Sequence, residues 1–189
     1  MSVLRGLLKR LGLHREPKVA PDYGNLDSWF SVREIEDAEP LVGELFRRRF
    51  HTDSFPGEPR HFVAFARQAD GSELTLGYVH YTHWDGCELC GGLVVDDNNY
   101  PRLTAEAWQT LRQSGGIAEQ LLRQSFAALP GSTQAIWARI GHPKSEVVCR
   151  RVGFEKTDAE YIFVIWRDKR LNAEARQALI ERVVGIGPF

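Results

Sequence analysis

The sequence has little of what marks several classes of protein. It has only three cysteines, an odd number with no secretory leader, so we expect a reducing, cytoplasmic compartment. No apolar run approaches the roughly 20 residues that span a bilayer. The formal net charge of −1 gives no broad attraction for a polyanion, so we predict no nucleic-acid partner. Internal repeats and low-complexity tracts are absent from the sequence as well.

What remains is the composition of an ordinary globular protein. A chain of 189 residues, 43% hydrophobic and 26% charged, is long enough for one domain with a real core. We predict that residues 29–170 form this domain. Residues 1–28 are predicted to be a helix followed by a linker, and residues 171–189 an appended C-terminal helix.

The first segment, residues 2–13, has the pattern of a short basic amphipathic helix. Its leucines form one stripe and its basic residues flank that stripe: Leu4, Leu7, Leu8, Leu11, Arg5, Lys9 and Arg10. Such a helix can lie on an anionic membrane surface. Docking on its own domain, or contact with a partner as a loose arm, are the alternatives.

A glycine-bearing loop, Gln113-Ser-Gly-Gly-Ile-Ala118, runs directly into an amphipathic helix that ends before Pro130-Gly131. A helix start has unpaired N–H groups and the positive end of the helix dipole. Glycines allow an anion to come close to that backbone, so the loop predicts a phosphate site. An ordinary turn before a core helix is the alternative, since short glycine motifs often match by accident.

Asp85-Gly86 is a strong signal for a two-residue hairpin turn. The turn sets a register with three cross-strand pairs: Trp84 with Cys87, His83 with Glu88, and Tyr81 with Cys90. Side chains alternate along a strand, so Tyr81, His83, Glu88 and Cys90 are expected on one face. A carboxylate opposite His83 favours the protonated ring, which makes this face the best candidate for proton transfer. A satisfied polar pair at the wet end of the hairpin is the alternative.

Cys87-Glu-Leu-Cys90, with His80 and His83 nearby, resembles half of a zinc site. The other half is missing, and strand residues three apart point to opposite faces. We therefore predict no metal. The long connection at residues 96–112 carries a short helix that Thr104 can cap; it is either a lid or acceptor-binding segment, or a surface insertion.

The predicted order of elements is strand, helix, three strands, helix, strand, helix, strands. Together with three motifs, this order resembles the GNAT N-acetyltransferase superfamily from roughly Trp29 to Trp166. The family's Gln/Arg-x-x-Gly-x-Gly/Ala loop matches Gln113 to Ala118. Its strand ending Leu-x-Val-x-Pro corresponds to Leu93-Val-Val95-Asp-Asp97, without the proline. Its helix Asn-x-x-Ala-x-x-x-Tyr-x-x-x-Gly-Phe corresponds to His142-Pro-Lys-Ser145-Glu-Val-Val-Cys149-Arg-Arg-Val-Gly153-Phe154.

The resemblance implies an α/β (α+β) fold with a mixed, mostly antiparallel central sheet flanked by helices. It implies transfer of an acetyl group from acetyl-CoA to a primary amine of a small-molecule or protein acceptor. Backbone around Val94, Val95 and Asp96 would pair with the pantetheine arm and polarise the thioester carbonyl. The pyrophosphate site would be the loop: Gln113, Ser114, Gly115, Gly116, Ile117 and Ala118.

The sequence departs from the family at two side chains. Cys149 stands where the family often has a tyrosine that acts as the general acid. A free thiol has a pKa near ~8.5 against ~10 for tyrosine, so it can donate a proton. The cysteine side chain is shorter, however. Buried apolar filler is the alternative role. His142 replaces an asparagine and either binds the CoA arm or caps its helix. For the general base we predict Glu88, assisted by His83.

The sequence leaves two other functions open. One is a domain that binds acyl-CoA without turnover, which the missing tyrosine permits. The other is a membrane-surface protein placed by residues 2–13, with the fold as scaffold.

Overall fold

The sheet is the centre of the structure, a computed structural model that describes residues 20–189. The helix predicted at residues 2–13 lies outside the described residues. Seven strands form one sheet in the order β1-β2-β3-β4-β5-β7-β6. Their bounds are β1 (Phe30–Ile35), β2 (Arg60–Arg67), β3 (Glu73–Trp84), β4 (Cys87–Val95), β5 (Ala135–Arg139), β6 (Glu155–Lys156) and β7 (Ile162–Trp166).

The strand directions confirm the predicted fold class. Strands β4 and β5 run parallel, and every other neighbouring pair of this sheet is antiparallel. In the part of the chain that the structure describes, five α-helices flank the sheet: α1 (Glu39–Phe50), α2 (Ala105–Gln113), α3 (Ile117–Ala128), α4 (Pro143–Arg151) and α5 (Ala173–Ile186). The family-like order of strands and helices is therefore the observed order, with α2 added between β4 and α3.

The helices divide the buried residues between the two faces of the sheet. Helices α3 and α4 pack on one face, where Leu121 and Cys149 join a cluster with Tyr81. Helix α1 packs on the opposite face over Tyr78 and Val94. Helix α5 covers the same face further along, over Cys87, Leu89 and Trp137. We call these two surfaces the α3 face and the α1 face.

The hairpin between β3 and β4 has the predicted register. Asp85 and Gly86 have φ angles of 47° and 72°, the left-handed conformation that a two-residue turn of this kind requires. The pairs are Trp84 with Cys87, His83 with Glu88, and Tyr81 with Cys90, as the turn predicted. This register places Glu88 on the α3 face, where it is buried.

A bulge in β4 opens the sheet. Tyr78 pairs with Val94 and His80 with Gly91, so β4 has one residue more than β3 between these pairs, and Gly92 has a φ of 61°. Strands β4 and β5 pair only from Glu88 to Cys90. Beyond Cys90 they separate, and no strand within residues 20–189 pairs with the β5 side of the half of β4 that ends at Val95.

The connection at residues 96–112 forms a 3-10 helix, Asp97–Arg102, followed by α2. Thr104 caps α2 as predicted, because its hydroxyl accepts a hydrogen bond from the Ala107 N–H at 3.1 Å. Among the helices described between residues 20 and 189, none is long and apolar enough to cross a membrane. The domain boundaries proposed after residues 28 and 170 stay predictions, although α5 packs directly on the sheet.

Candidate active site

A cleft of about 730 Å³ lies where β4 and β5 separate. Its walls come from the end of β4, the end of α1, the 3-10 helix and the starts of α3 and α4. Four of the predicted cofactor-binding residues line it: Val94, Val95, Ala118 and His142. Arg49 and Lys144 also line the cleft and provide two cationic side chains. The site therefore has a free strand edge, two helix starts and positive charge in one place.

The predicted phosphate loop has fewer free N–H groups than its sequence suggests. The N–H groups of Ser114, Gly115 and Gly116 already donate to carbonyls of α2: to Thr110 at 3.0 Å, to Arg112 at 3.3 Å and to Leu111 at 2.8 Å. These three donors complete the end of α2 instead of pointing together at an anion. That these three N–H groups hold a pyrophosphate stays a prediction, and in the observed conformation each of them already has a carbonyl partner.

The donors that remain belong to the first turn of α3. The first helical bond runs from the Gln120 N–H to the Gly116 carbonyl at 3.1 Å. The N–H groups of Ile117, Ala118 and Glu119 precede that bond, and no hydrogen bond joins them to an acceptor within residues 20–189. Gly116, with a φ of 89°, has no heavy atom within 4 Å of the place a Cβ would occupy. The start of α3 is therefore open to an anion.

Glu119 lies beside the other glycine of the loop. A Cβ on Gly115 would lie 2.5 Å from the Glu119 carboxylate, so a larger residue there would collide with it. Glu119 also accepts a hydrogen bond from Arg123 at 2.8 Å. The φ of 95° at Gly115 favours glycine there, and the Glu119 carboxylate beside it is negative and lies next to the open turn.

Two further predicted cofactor contacts lie differently from expectation. Gln113 is the last residue of α2 and lines a separate surface depression of about 520 Å³ with Trp108, Gln109 and Arg112. The Asp96 N–H donates to the Leu76 carbonyl of β3 at 2.9 Å, and its carboxylate pairs with Arg48 at 3.3 Å. Neither residue lines the cleft between β4 and β5.

Glu88 and His83 form the predicted pair. Glu88 Oε1 lies 3.1 Å from His83 Nδ1; the Glu88 side chain is 1% exposed and that of His83 is 65% exposed. The second carboxylate oxygen, Oε2, is buried and has no hydrogen-bond partner in the described part of the chain. A buried carboxylate oxygen without a partner costs free energy, so its position needs a reason.

Arg60 is a cation whose pKa the charge of Glu88 affects. It binds both carboxylate oxygens of Glu34 at 2.6 Å and donates to the Ala128 carbonyl at 3.1 Å. The bond to Glu34, and to a smaller extent the charge of Glu88, raise the pKa of Arg60. Like Glu88 Oε2, the Nη1 atom of Arg60 is a buried polar atom for which residues 20–189 supply no hydrogen-bond partner.

Cys149 is buried among Tyr81, Cys90 and Phe154 on the α3 face. Burial raises the pKa of its thiol to about 12. A thiol held this strongly in its protonated form does not donate readily near neutral pH, so the structure favours the alternative role of apolar filler. His142 has both of its predicted roles open: Nδ1 accepts from the Lys144 N–H at 3.2 Å, which caps α4, and the ring lines the cleft.

The cysteines of the half zinc motif point to opposite faces. Cys87 lies in the cluster under α5, and Cys90 lies in the cluster under α3 and α4. Across residues 20–189, no group of three or more histidine, cysteine, aspartate or glutamate side chains could hold a metal ion.

Sequence reasoning missed a buried polar group on the α1 face. His61 Nδ1 lies 2.7 Å from the Tyr78 hydroxyl, which lies 3.3 Å from His80 Nδ1. We call these three residues the histidine–tyrosine array. Alternation along β3 places Tyr78 and His80 on one face, but no short motif connects His61 of β2 to them. A histidine on each of two adjacent strands was the available signal.

No protein-family model matches the sequence, and no curated protein matches it. Acetyltransferases are among the solved structures that the chain resembles. A protein from Exiguobacterium sp. 255-15 described as an acetyltransferase has 13% identity and a TM-score of 0.46, over 81% of this chain and 97% of the other. KacTA in complex with DNA has 12% identity and a TM-score of 0.42, over 80% and 99%.

AtaT in complex with acetyl-methionyl-tRNAfMet has 11% identity and a TM-score of 0.40, over 80% of this chain and 99% of the other. These likenesses are distant. The function proposed below rests on the cleft and the side chains of this chain.

Proposed function

We propose that this chain is a GNAT-type acyltransferase that moves an acetyl group from acetyl-CoA to a primary amine. The observation that carries the proposal is the cleft at the separation of β4 and β5. Beyond Cys90, no strand in the described part of the chain pairs with the β5 side of β4, and Leu93, Val94 and Val95 line the cleft there. An extended pantetheine arm would bind this edge as an added strand, through its two amides.

The phosphate end of acetyl-CoA fits the other end of the cleft. The open first turn of α3 offers the N–H groups of Ile117, Ala118 and Glu119, and the helix dipole adds positive potential. Arg49 and Lys144 stand across the cleft. Arg49 lies 3.9 Å from Asp97, a loose and exposed pair that leaves the guanidinium available to a phosphate.

The chemistry requires a neutral amine and a polarised thioester. We assign Glu88 as the group that takes the proton of the ammonium, directly or through water. The unpartnered Oε2 supports this assignment, because it is a buried acceptor to which residues 20–189 donate no hydrogen bond. His83, mostly exposed and 3.1 Å from Oε1, would pass the proton to solvent. Backbone N–H groups at the Gly91–Gly92 bulge would polarise the thioester carbonyl.

A second candidate is a domain that binds acetyl-CoA without turnover. The burial of Cys149, which raises the pKa of the thiol to about 12, favours it, because the residue at the family's tyrosine position cannot supply the leaving thiolate with a proton. The two candidates share the cleft and differ only in whether thiol is released.

The binding test uses a matched pair of substitutions at Ala118, which lines the cleft in the first turn of α3. Acetyl-CoA should raise the melting temperature of the wild type by linkage. Ala118→Glu should abolish most of that shift because its carboxylate repels the diphosphate, although an acid there suits the helix dipole. Ala118→Gln, similar in size and neutral, is the control. No shift for the wild type at millimolar acetyl-CoA would contradict both candidates.

The activity test is release of free thiol from acetyl-CoA with a panel of amines. The panel includes polyamines, amino-terminal peptides and an aminoacyl-tRNA, since the prediction of no nucleic-acid partner is untested. Thiol release that depends on one amine class supports the transferase and names its acceptor. Binding without any amine-dependent release supports the second candidate.

A further inference from the structure

The histidine–tyrosine array is closed off from solvent on the α1 face. His61 is 4% exposed, Tyr78 0% and His80 8%. His61 and His80 are direct cross-strand partners on β2 and β3, and the Tyr78 hydroxyl lies between their Nδ1 atoms at 2.7 Å and 3.3 Å. Phe55 stacks on the His61 ring with centroids 5.3 Å apart. Buried polar groups this well packed and connected hold one geometry.

One phenolic proton couples the protonation of the two rings. The shorter contact assigns that proton to the bond from Tyr78 to His61 Nδ1. The contact between His80 Nδ1 and the same oxygen then needs a hydrogen on His80 Nδ1. In this arrangement the other nitrogen of His80, Nε2, keeps its lone pair and is the basic end of the array.

His80 lies against the point where the sheet opens. A Cβ on Gly91 would lie 2.5 Å from His80 Nε2, and one on Gly92 would lie 2.6 Å from Nδ1. The ring therefore rests on the two glycines of the bulge, immediately beyond the last residue of β4 that pairs with β5. Any other residue at these positions would displace it.

The array does not line the cleft itself, but Gly92, against which His80 packs, directly precedes Leu93 of the cleft wall. Phe50 lines the cleft and packs on Phe46, with ring centroids 4.7 Å apart. Phe46 in turn covers His80 at 6.0 Å. Burial, and then the neighbouring His61, lower the pKa of His80 to about 4, so the ring is neutral near neutral pH. Tyr78 and His61 are the titratable groups that contact His80, and Asp37 at the start of α1 acts on His61.

We propose that His80 Nε2 carries a proton from the acceptor nitrogen to the departing sulfur of CoA, with Tyr78 and His61 as the positioning residues. The proposal rests on the acyl transfer proposed above. It supplies the acid that Cys149, buried on the other face, cannot provide. It also gives the buried pair of histidines a function that Glu88 does not duplicate.

The step balances in atoms and charge. The neutral amine attacks the thioester carbon, and a C–N bond forms while the carbonyl oxygen takes the electron pair. His80 Nε2 accepts the extra N–H proton of the tetrahedral intermediate. The C–S bond breaks, and the same proton passes from His80 to the thiolate. The amide and CoA thiol leave, and His80 is neutral again. An imidazolium whose burial disfavours its charge gives up this proton readily.

The test compares His80→Ala with the wild type in thiol release at saturating acetyl-CoA and amine. We expect kcat to fall by about 100-fold or more, with the Kd of acetyl-CoA changed less than about twofold. Added imidazole should restore part of kcat. Pyrazole has the same shape but is a much weaker base, so it should not. A merely structural role would respond to both additives equally, and that result overturns the proposal.

Tyr78→Phe keeps both rings and removes the link between them. We expect its kcat to fall about tenfold with an unchanged Kd for acetyl-CoA, and Tyr23→Phe, distant from the cleft, serves as the matched control. If the wild type is active and both His80→Ala and Tyr78→Phe keep full kcat, the shuttle fails and the acyltransferase stands. If the wild type releases no thiol with any amine, the proposed function fails and the shuttle fails with it.

Discussion

Two polar groups flank the same strand, and they differ in almost every physical respect. The pair formed by Glu88 and His83 lies on the α3 face near the hairpin and reaches solvent through His83, 65% exposed. The histidine–tyrosine array lies on the α1 face beside the bulge, is buried throughout and is held neutral by that burial. One group suits the release of a proton to water, and the other suits its return to the substrate.

The difference follows from position along β4. Near the hairpin, β4 pairs with both β3 and β5, and Glu88 is 1% exposed beside the largely exposed His83. Three residues further on, the strand bulges and leaves β5, and the glycines of the bulge make room for His80. Acylation of an ammonium releases one proton to solution and transfers another to the thiolate, so a site with two kinds of proton carrier matches the reaction.

The largest effect should come from Glu88→Gln. We expect kcat/KM for the amine to fall by about 100-fold or more, because the amide cannot accept the ammonium proton. The melting-temperature shift caused by acetyl-CoA should be unchanged. Raising the pH toward the pKa of the free amine should recover part of the loss, since the substrate then arrives neutral. An unchanged rate at pH 7 would remove Glu88 from the mechanism and leave the array as the sole proton carrier.

Acid should destabilise the fold through the buried array. His80 has a pKa of about 4 in the folded protein against 6.5 when free, so the unfolded chain binds more protons between these values. Stability is therefore full above about pH 6.5 and falls as the pH drops toward 4, by at most about 3 kcal/mol for this group. Urea unfolding at several pH values measures the slope. His80→Gln should flatten it, and an unaltered slope would show that His80 is not buried and neutral.

Gly91→Ala should disturb the array by a steric clash and leave the pair of Glu88 and His83 intact. The added methyl would lie 2.5 Å from His80 Nε2, so we expect a loss of about 1–3 kcal/mol in unfolding free energy. Gly131→Ala is the matched control, because nothing lies within 4 Å of its Cβ position. The contact of His83 with Glu88 should survive, which the His83 signals in an NMR spectrum would report. Equal stability of the two alanine variants would place His80 away from the bulge.

The smallest expected effect concerns binding alone. Glu119→Gln removes a negative charge beside the open turn of α3, where a diphosphate would bind. We expect the Kd of acetyl-CoA to fall roughly fivefold, about 1 kcal/mol, and less at high salt. Titration calorimetry at two salt concentrations measures the change. A higher Kd, which means weaker binding, would show that Glu119 supports the site instead of opposing the ligand.

The sequence predicted one of the two groups and missed the other for a simple reason. The Asp85-Gly86 turn fixes a register locally, so the pairing of His83 with Glu88 followed from two residues and the alternation of a strand. The array joins β2 to β3, and its register includes a bulge between Ala64 and Phe65 that no short motif marks. His80 was weighed only as a metal ligand.

The phosphate loop also shows what a short local motif cannot predict. Its sequence predicted the turn and the start of α3, and both are present. What the motif could not predict is that α2 ends directly before it, so that Ser114, Gly115 and Gly116 complete that helix. The helix itself was predicted from Thr104, but the use of its last carbonyls depends on the packing of two helices end to end.

The central claim is that acetyl-CoA binds between the separated ends of β4 and β5. Hydrogen exchange of the full chain, with and without acetyl-CoA, tests it directly. The account predicts slower exchange at residues 93–95 and 117–119, with no change in β2. Protection elsewhere on the surface, or none at residues 93–95 when the ligand is saturating, would contradict it.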